Sequence, residues 1–366
     1  MTNQKVSSKG FYDALKSNHH NYSASDVSLQ IAQTDKGRVI RLSDSIAKYM
    51  NANLPHTIDR RETLFDYRTN PYVLLASASL MGLSIPRKFA EFLFNNKLYM
   101  GLETSFGKSI EDTLVGGYPI NAVDSLKWAT PKEKIAESKA LEGLKREDKA
   151  KRRNVSVWRE IDKSCLVGNR RYLITVKSGP NCINDTQVEA MKTAIATHHR
   201  TWFDQTKTDH PGIEGIDIVI GLTYGTDRTT NNKENQILVK LLDHGFKEEN
   251  RKTKPGVLID SRTGTVRVYR QIGQEFWGFI GNPVEPRKAH FVYLEVLLAL
   301  ARAFSMSVER AGFEEQVNLK LVQLSKAISK LAFPRSSLPS WIRDDFSEDE
   351  LFWLATGLTA FFDEGI

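Results

Sequence analysis

Three residues near the middle of the chain have the chemistry to attack a phosphodiester: Glu160 and Asp162 in "WREIDKS" and Lys177 at the end of "RRYLITVK". A carboxylate holds a hard divalent cation through oxygen. The cation lowers the pKa of a bound water and offsets charge building on a phosphate. An ammonium group beside it steadies that water or the pentacovalent transition state. Twelve residues separate Asp162 from Thr175, and Lys177 follows two positions later.

The local pattern predicts the elements that would hold these groups together. Alternation over 155–163 predicts a strand with Trp158, Glu160 and Asp162 on one face. A turn at "VGNR" joins it to the alternating strand 170–177, so the two are expected to pair as a hairpin. A helix over 185–199 follows, with Asn184 as N-cap and Gln187 at the capping-box position. Then "IEGIDIVIGLTYG" has the continuous apolar character of a central buried strand. "QILVKLLDHGF" predicts a short helix, and "GVLIDSRTGTVRVYRQIG" a hairpin with its turn at Ser261–Gly264.

The string "EID … ITVKSGPNCIND" resembles the PD-(D/E)XK nucleases, in which an acid, a hairpin and acid-x-Lys at a strand end form the site. With its "KSGPN" loop it resembles type II restriction endonucleases, specifically those cutting interrupted GGNCC- or CCNGG-type sites. The likeness covers roughly residues 155–225. It departs from the pattern at Thr175, where the family carries Glu or Asp. Some members carry Ser or Thr there and take the acid from the following helix, about a dozen residues on. Glu189 lies twelve residues after Lys177. The resemblance therefore implies Asp162, Lys177 and Glu189 as catalytic residues, Asp162 and Glu189 as Mg²⁺ ligands, and Glu160 as the alternative acid. It also implies an α/β (α+β) core with a central mixed sheet between helical flanks, 5′-phosphate products, a homodimer and a companion DNA methyltransferase. Two rival readings stay open: a structure-specific repair or recombination nuclease on the same core, and a non-catalytic DNA-binding protein with a degenerate core.

A protein acting on DNA must neutralise phosphates. The basic run "KREDKAKRR" precedes the hairpin, and Arg170 and Arg171 lie inside it. Asn181 in "SGPNCIN" is placed to meet the backbone or a base. The loop "GTDRTTNNKENQ" offers Arg228, Asn231, Asn232 and Lys233, side chains suited to base edges. His198 and His199 are adjacent and do not share a helix face, which argues against a metal pair. Asp217 within "GIDIVIG" is expected to pair structurally.

The rest of the composition sets bounds. The chain has 366 residues, 40 % hydrophobic and 26 % charged with both signs interspersed, the profile of a soluble globular protein. The net charge of +7 is compatible with an acidic polymer as partner. No apolar run reaches membrane-spanning length, and the polar start has no signal-peptide core. Cys165 and Cys182 form no metal or CxxC pattern and are expected to stay reduced in a cytoplasm. Three regions are expected: a mainly helical 1–130, a nuclease core 131–282 containing a long charged helix over 131–153, and a helical 283–366.

Overall fold

The computed structural model describes residues 31, 34–59, 63–67, 70–116, 127–140, 156–179, 182–250, 252–284, 290–310, 312–333 and 335–361. The basic run at 145–153, Pro180 and Asn181 lie outside them. The chain divides into two units, Met1–Ser43 with Gly107–Leu300 and Asp44–Phe106 with Ala301–Ile366. This differs from three consecutive regions: both helical flanks contribute to one unit, and the core takes in residues before 131.

The larger unit is built on a six-stranded mixed sheet. Its strands are β1 (Lys163–Val167), β2 (Arg170–Lys177), β3 (Gly215–Leu222), β4 (Phe246–Asn250), β5 (Lys254–Asp260) and β6 (Val266–Ile272), in the order β1-β2-β3-β6-β5-β4. The β1–β2 and β5–β6 pairs are antiparallel, whereas β2–β3 and β3–β6 are parallel. All eight residues of β3 are buried, as its unbroken apolar run requires of a central strand.

The parallel β2–β3 pair needs a crossover, which the helix Asp185–Asp209 provides. Its start is the expected capping box: Asn184 accepts from the Gln187 N–H at 2.9 Å, and Gln187 accepts from the Asn184 N–H at 3.1 Å. Val188, Met191, Ile195 and Trp202 recur at helical spacing and are buried in one cluster with Leu173, Ile216, Ile218, Ile220 and Leu222. The shorter helix Lys233–Leu242 adds Ile237, Leu238 and Leu241 to the same cluster. Behind the sheet, the helix Gln274–Gly281 lays Phe276 on Gly221 so closely that a Cβ there would collide with the ring. Glycine is what allows that approach.

The smaller unit is helical. After the end of the helix Lys36–Asp59, its helix Pro71–Met81 starts with the Asn70 side chain accepting from the Tyr72 and Val73 N–H groups, and ends on Gly82 at φ 58°. The next helix, Pro86–Ser109, is followed in the chain by a π-helical turn at Ile110–Val115. The helices Phe313–Ile328 and Glu348–Phe361 complete the unit. Leu74, Phe89, Leu93 and Phe94 pack with Leu321, Leu324 and Ile328. Ser347 and Glu350 form the expected capping box. Among the described residues no helix is long and apolar enough to cross a membrane.

Candidate active site

The hairpin expected from the sequence is present, with its first strand starting later. Residues 157–160 form a turn and β1 begins at Lys163. Two tryptophans account for the turn: Trp158 packs against Trp202 at a ring distance of 6.0 Å, and the Trp202 indole N–H donates to the Val157 carbonyl at 3.0 Å. Burying Trp158 against Trp202 of the crossover helix outweighs the β preference of 157–160.

Asp162, one residue ahead of β1, is set beside Thr175 by the register Lys163↔Ile174. Its N–H donates to the Ile174 carbonyl at 2.8 Å. Its Oδ2 accepts from the Val176 N–H at 2.8 Å and lies 3.4 Å from the Thr175 hydroxyl. Its Oδ1 accepts from Lys134 Nζ at 3.3 Å. Lys134, on the helix Lys132–Ala140, also donates to the carbonyls of Ile161 at 2.6 Å and Arg159 at 3.0 Å. The carboxylate is thus aimed by main-chain groups as well as by a flexible side chain. Thr175 is buried, and Lys177 follows it on the same face of β2, opposite Leu222 of β3. Among the described residues nothing pairs with the Lys177 ammonium. The loop leaving Lys177 runs under Tyr224, whose ring lies so close to Gly179 that any Cβ would strike it. This is a physical reason for the glycine in "KSGPN".

Two further acids lie against β1. The π-helical turn Ile110–Val115 brings Glu111 and Asp112 to Lys163, whose buried ammonium donates to Asp112 Oδ1 at 2.9 Å and the Thr130 hydroxyl at 3.1 Å. Glu111 Oε1 lies 3.4 Å from the same ammonium. The Glu111 carboxyl is held above its ordinary pKa, first by burial and then by the negative charge of Asp162. Lys163 and Lys134 pull it the other way. Nothing in "GKSIEDTLV" marked either residue, because π-turns have no simple sequence signature.

The structure does not bring Glu189 or Glu160 to Asp162. Glu189 lies on the exposed side of the crossover helix, between Lys192 Nζ at 2.9 Å and Lys240. Those hydrogen bonds, Lys240 first, draw its pKa down to about 2. The inward positions of that helix are Val188 and Met191, so Glu189 points away from the sheet. Glu160 falls in the turn, where strand alternation does not apply, and pairs with Arg159 at 3.5 Å.

Most of the expected DNA contacts are engaged inside the protein. Arg170 pairs with Asp217 through Nε at 2.8 Å, the structural partnership foreseen for that acid, and Tyr269 donates to the same carboxylate at 3.1 Å. Arg171 is buried, bonded to both Glu133 oxygens at 2.7 and 3.0 Å and stacked over Trp158 at 5.1 Å. Asn231 donates to the Ile183 carbonyl and accepts from the Lys233 N–H. Asn232 has φ 59°, a left-handed conformation that Asn tolerates. Lys233 pairs with Asp185. Arg228 is exposed, and among the described residues its guanidinium has no partner. Asn181 lies outside the described residues. His199 is buried, with Nδ1 against the Ile195 carbonyl at 2.8 Å.

A mixed sheet with a parallel crossover, an acid fixed beside the end of β2 and a lysine on that strand define a restriction-endonuclease-like core. Residues 147–301, a little under half of the chain, match the family model of the type II restriction endonuclease EcoO109I. That stretch contains every strand of the sheet, Asp162 and Lys177. The protein is an enzyme, a site-specific deoxyribonuclease, and DNA is its substrate. No curated protein matches the chain.

Proposed function

We propose that the enzyme is a PD-(D/E)XK nuclease, hydrolysing phosphodiester bonds in double-stranded DNA at a specific sequence. It requires Mg²⁺ and leaves 5′-phosphate ends. The observation that carries this is the placement of Asp162 beside Thr175 and Val176, with Lys177 at the strand end lacking a partner among the described residues. The donors there are the Asp162 carboxylate, the Thr175 hydroxyl and nearby main-chain carbonyls. All are hard oxygens, and the Lys134 ammonium already rests against Asp162 Oδ1 and the Ile161 carbonyl as a cation would. Among the described residues no three His, Cys, Asp or Glu gather as a metal cluster. Few protein ligands with water completing the shell is the habit of Mg²⁺.

When bound, the cation would supply a water of lowered pKa and offset the phosphate's charge. Asp162 would hold it, with its free rotation removed by the Val176 N–H. Lys177 would donate to the attacked phosphate or its water and stabilise charge as it builds. Arg228 would contact DNA from the loop after β3, and Asn181 from the loop after Lys177. Asn231, Asn232 and Lys233 shape the loop after β3 from inside, while Arg170 and Arg171 brace the start of β2 against Asp217 and Glu133. A twofold dimer matches the symmetry of a near-palindromic site. A companion methyltransferase would protect the host's own copies, and an interrupted GGNCC- or CCNGG-type site is the recognition class to try first.

Digesting a sequenced phage genome with Mg²⁺ and mapping the ends tests this. Discrete ends sharing one short sequence are expected. A parent enzyme that cuts nothing, or cuts only at branched or single-stranded structures, overturns it.

A further inference from the structure

One position of β6 breaks the pattern of that strand. Val266, Val268 and Ile272 join the core cluster of the sheet and crossover helix, and Arg270, on the same side of β6, is buried beside them. A guanidinium at a core position is costly unless a carboxylate meets it. Its partner is Asp227, on the loop that follows β3. Apolar side chains in place of such a pair are often as stable or more so, so a demand for stability does not account for it. The pair does fix where the loop lies.

Both ends of that loop are tied to the segments around Lys177. At its start the Thr223 N–H donates to the Lys177 carbonyl and the Thr223 hydroxyl to the Ser178 carbonyl, each at 3.0 Å. At its end the Thr230 hydroxyl donates to the fully buried Glu234 at 2.7 Å, and Asn231 donates to the Ile183 carbonyl at 3.0 Å. Between these ends Asp227 ties the turn to the sheet through Arg270. The next residue, Arg228, is exposed, and among the described residues its guanidinium has no partner. One side chain of the turn is thus held inward while its neighbour is presented to solvent.

We propose that Arg270 is a positioning residue for DNA recognition: through Asp227 it fixes the loop after β3 with Arg228 turned toward the DNA. This rests on the reading of Arg228 as a DNA contact. A loop fixed in advance avoids the ordering cost that a mobile one meets on binding.

The test measures binding of the full-length enzyme to a duplex carrying the mapped site, by gel shift without divalent cation. Arg228→Ala is expected to weaken binding by roughly tenfold or more. Arg270→Met combined with Asp227→Asn removes both charges together. This paired variant is expected to keep the parent's melting temperature while affinity falls by about three- to tenfold. A pair serving the fold alone would leave the affinity of the folded variant unchanged. Added to Arg228→Ala, the paired substitution is expected to cost no further affinity, because it acts through that arginine. Asp227→Asn alone keeps the shape and loses the charge, and its loss of affinity carries the test if the paired variant does not fold. Parent-like affinity in the folded variants overturns the proposal, and so does a loss that adds in full to that of Arg228→Ala. If Arg228→Ala loses affinity while the paired variant does not, only the role of Arg270 fails. If Arg228→Ala binds as the parent does, the reading of Arg228 fails.

Discussion

Two glutamates that reach β1 and β2 from segments ahead of the sheet meet opposite surroundings. Glu133 lies against the buried guanidinium of Arg171 with both oxygens bonded. Burial works against its charge, but the Arg171 hydrogen bonds override it and its pKa is lowered. Glu111 is also partly buried, but the next influence on it is the Asp162 carboxylate, and its pKa is raised. The first is a completed ion pair, which gives structure. The second shares the Lys163 ammonium with Asp112, and burial is the larger influence on its charge. The contrast separates an acid whose partner outweighs burial and keeps its charge from one whose charge burial opposes.

The largest effect should come from the chemical side. Asp162→Asn is expected to lower the cleavage rate by roughly 10³-fold, measured in single turnover, with little change in urea stability. Loss of folding in step with activity would place Asp162 with Glu133 instead. On the structural side, Arg171→Met leaves Glu133 buried without its partner, which costs about 3–5 kcal/mol. Urea denaturation followed by tryptophan fluorescence measures it. An activity loss beyond the unfolded fraction would mean that Arg171 also serves DNA.

The pH dependence should separate the two acids by sign. The folded-state pKa of Glu133 is depressed, so its stabilisation is present above its ordinary value of 4.5 and fades as pH falls through the folded value. Glu111 is raised, so its ionised form opposes folding at neutral pH, and that penalty fades as pH falls toward 4.5 and below. Glu111→Gln should therefore be at least as stable as the parent at pH 7, with the difference closing in acid. A variant less stable at pH 7 would contradict this. Glu189→Ala should do least. Its exposed pairs with Lys192 and Lys240 are screened by water, so stability should shift by about 0.5 kcal/mol or less. Cleavage should remain within about twofold of the parent. A collapse of cleavage in this variant would return Glu189 to the site.

The sequence carried the hairpin, the crossover helix with its Asn184–Gln187 box and the central strand, because each rests on local periodicity or capping. It also carried the position of Asp162 beside Thr175, since hairpin pairing is fixed by neighbouring residues. Glu189 shows where spacing stops being informative. Twelve residues after Lys177 lies within reach along the chain, yet the faces of the helix are set by Val188 and Met191 seeking the core. The strand expected at Glu160 is a turn because Trp158 packs on Trp202, a partner distant in sequence. Arg170 and Arg171 had the look of phosphate binders, but their acids, Asp217 and Glu133, are 47 and 38 residues away and visible only in the fold. Glu111 and Asp112 were hidden for the same reason, on a π-turn that meets Lys163 from far upstream.

The central claim is that Asp162 and Lys177, brought together at the end of β2, hydrolyse DNA. Lys177→Met tests it most directly, in single-turnover cleavage of a duplex carrying the mapped site, with enzyme in excess and occupancy confirmed by gel shift. The account predicts binding close to the parent's and a cleavage rate lower by roughly 10³-fold, since the lysine acts on charge that builds in the transition state. A Lys177→Met enzyme that binds and cuts at the parent's rate would contradict it.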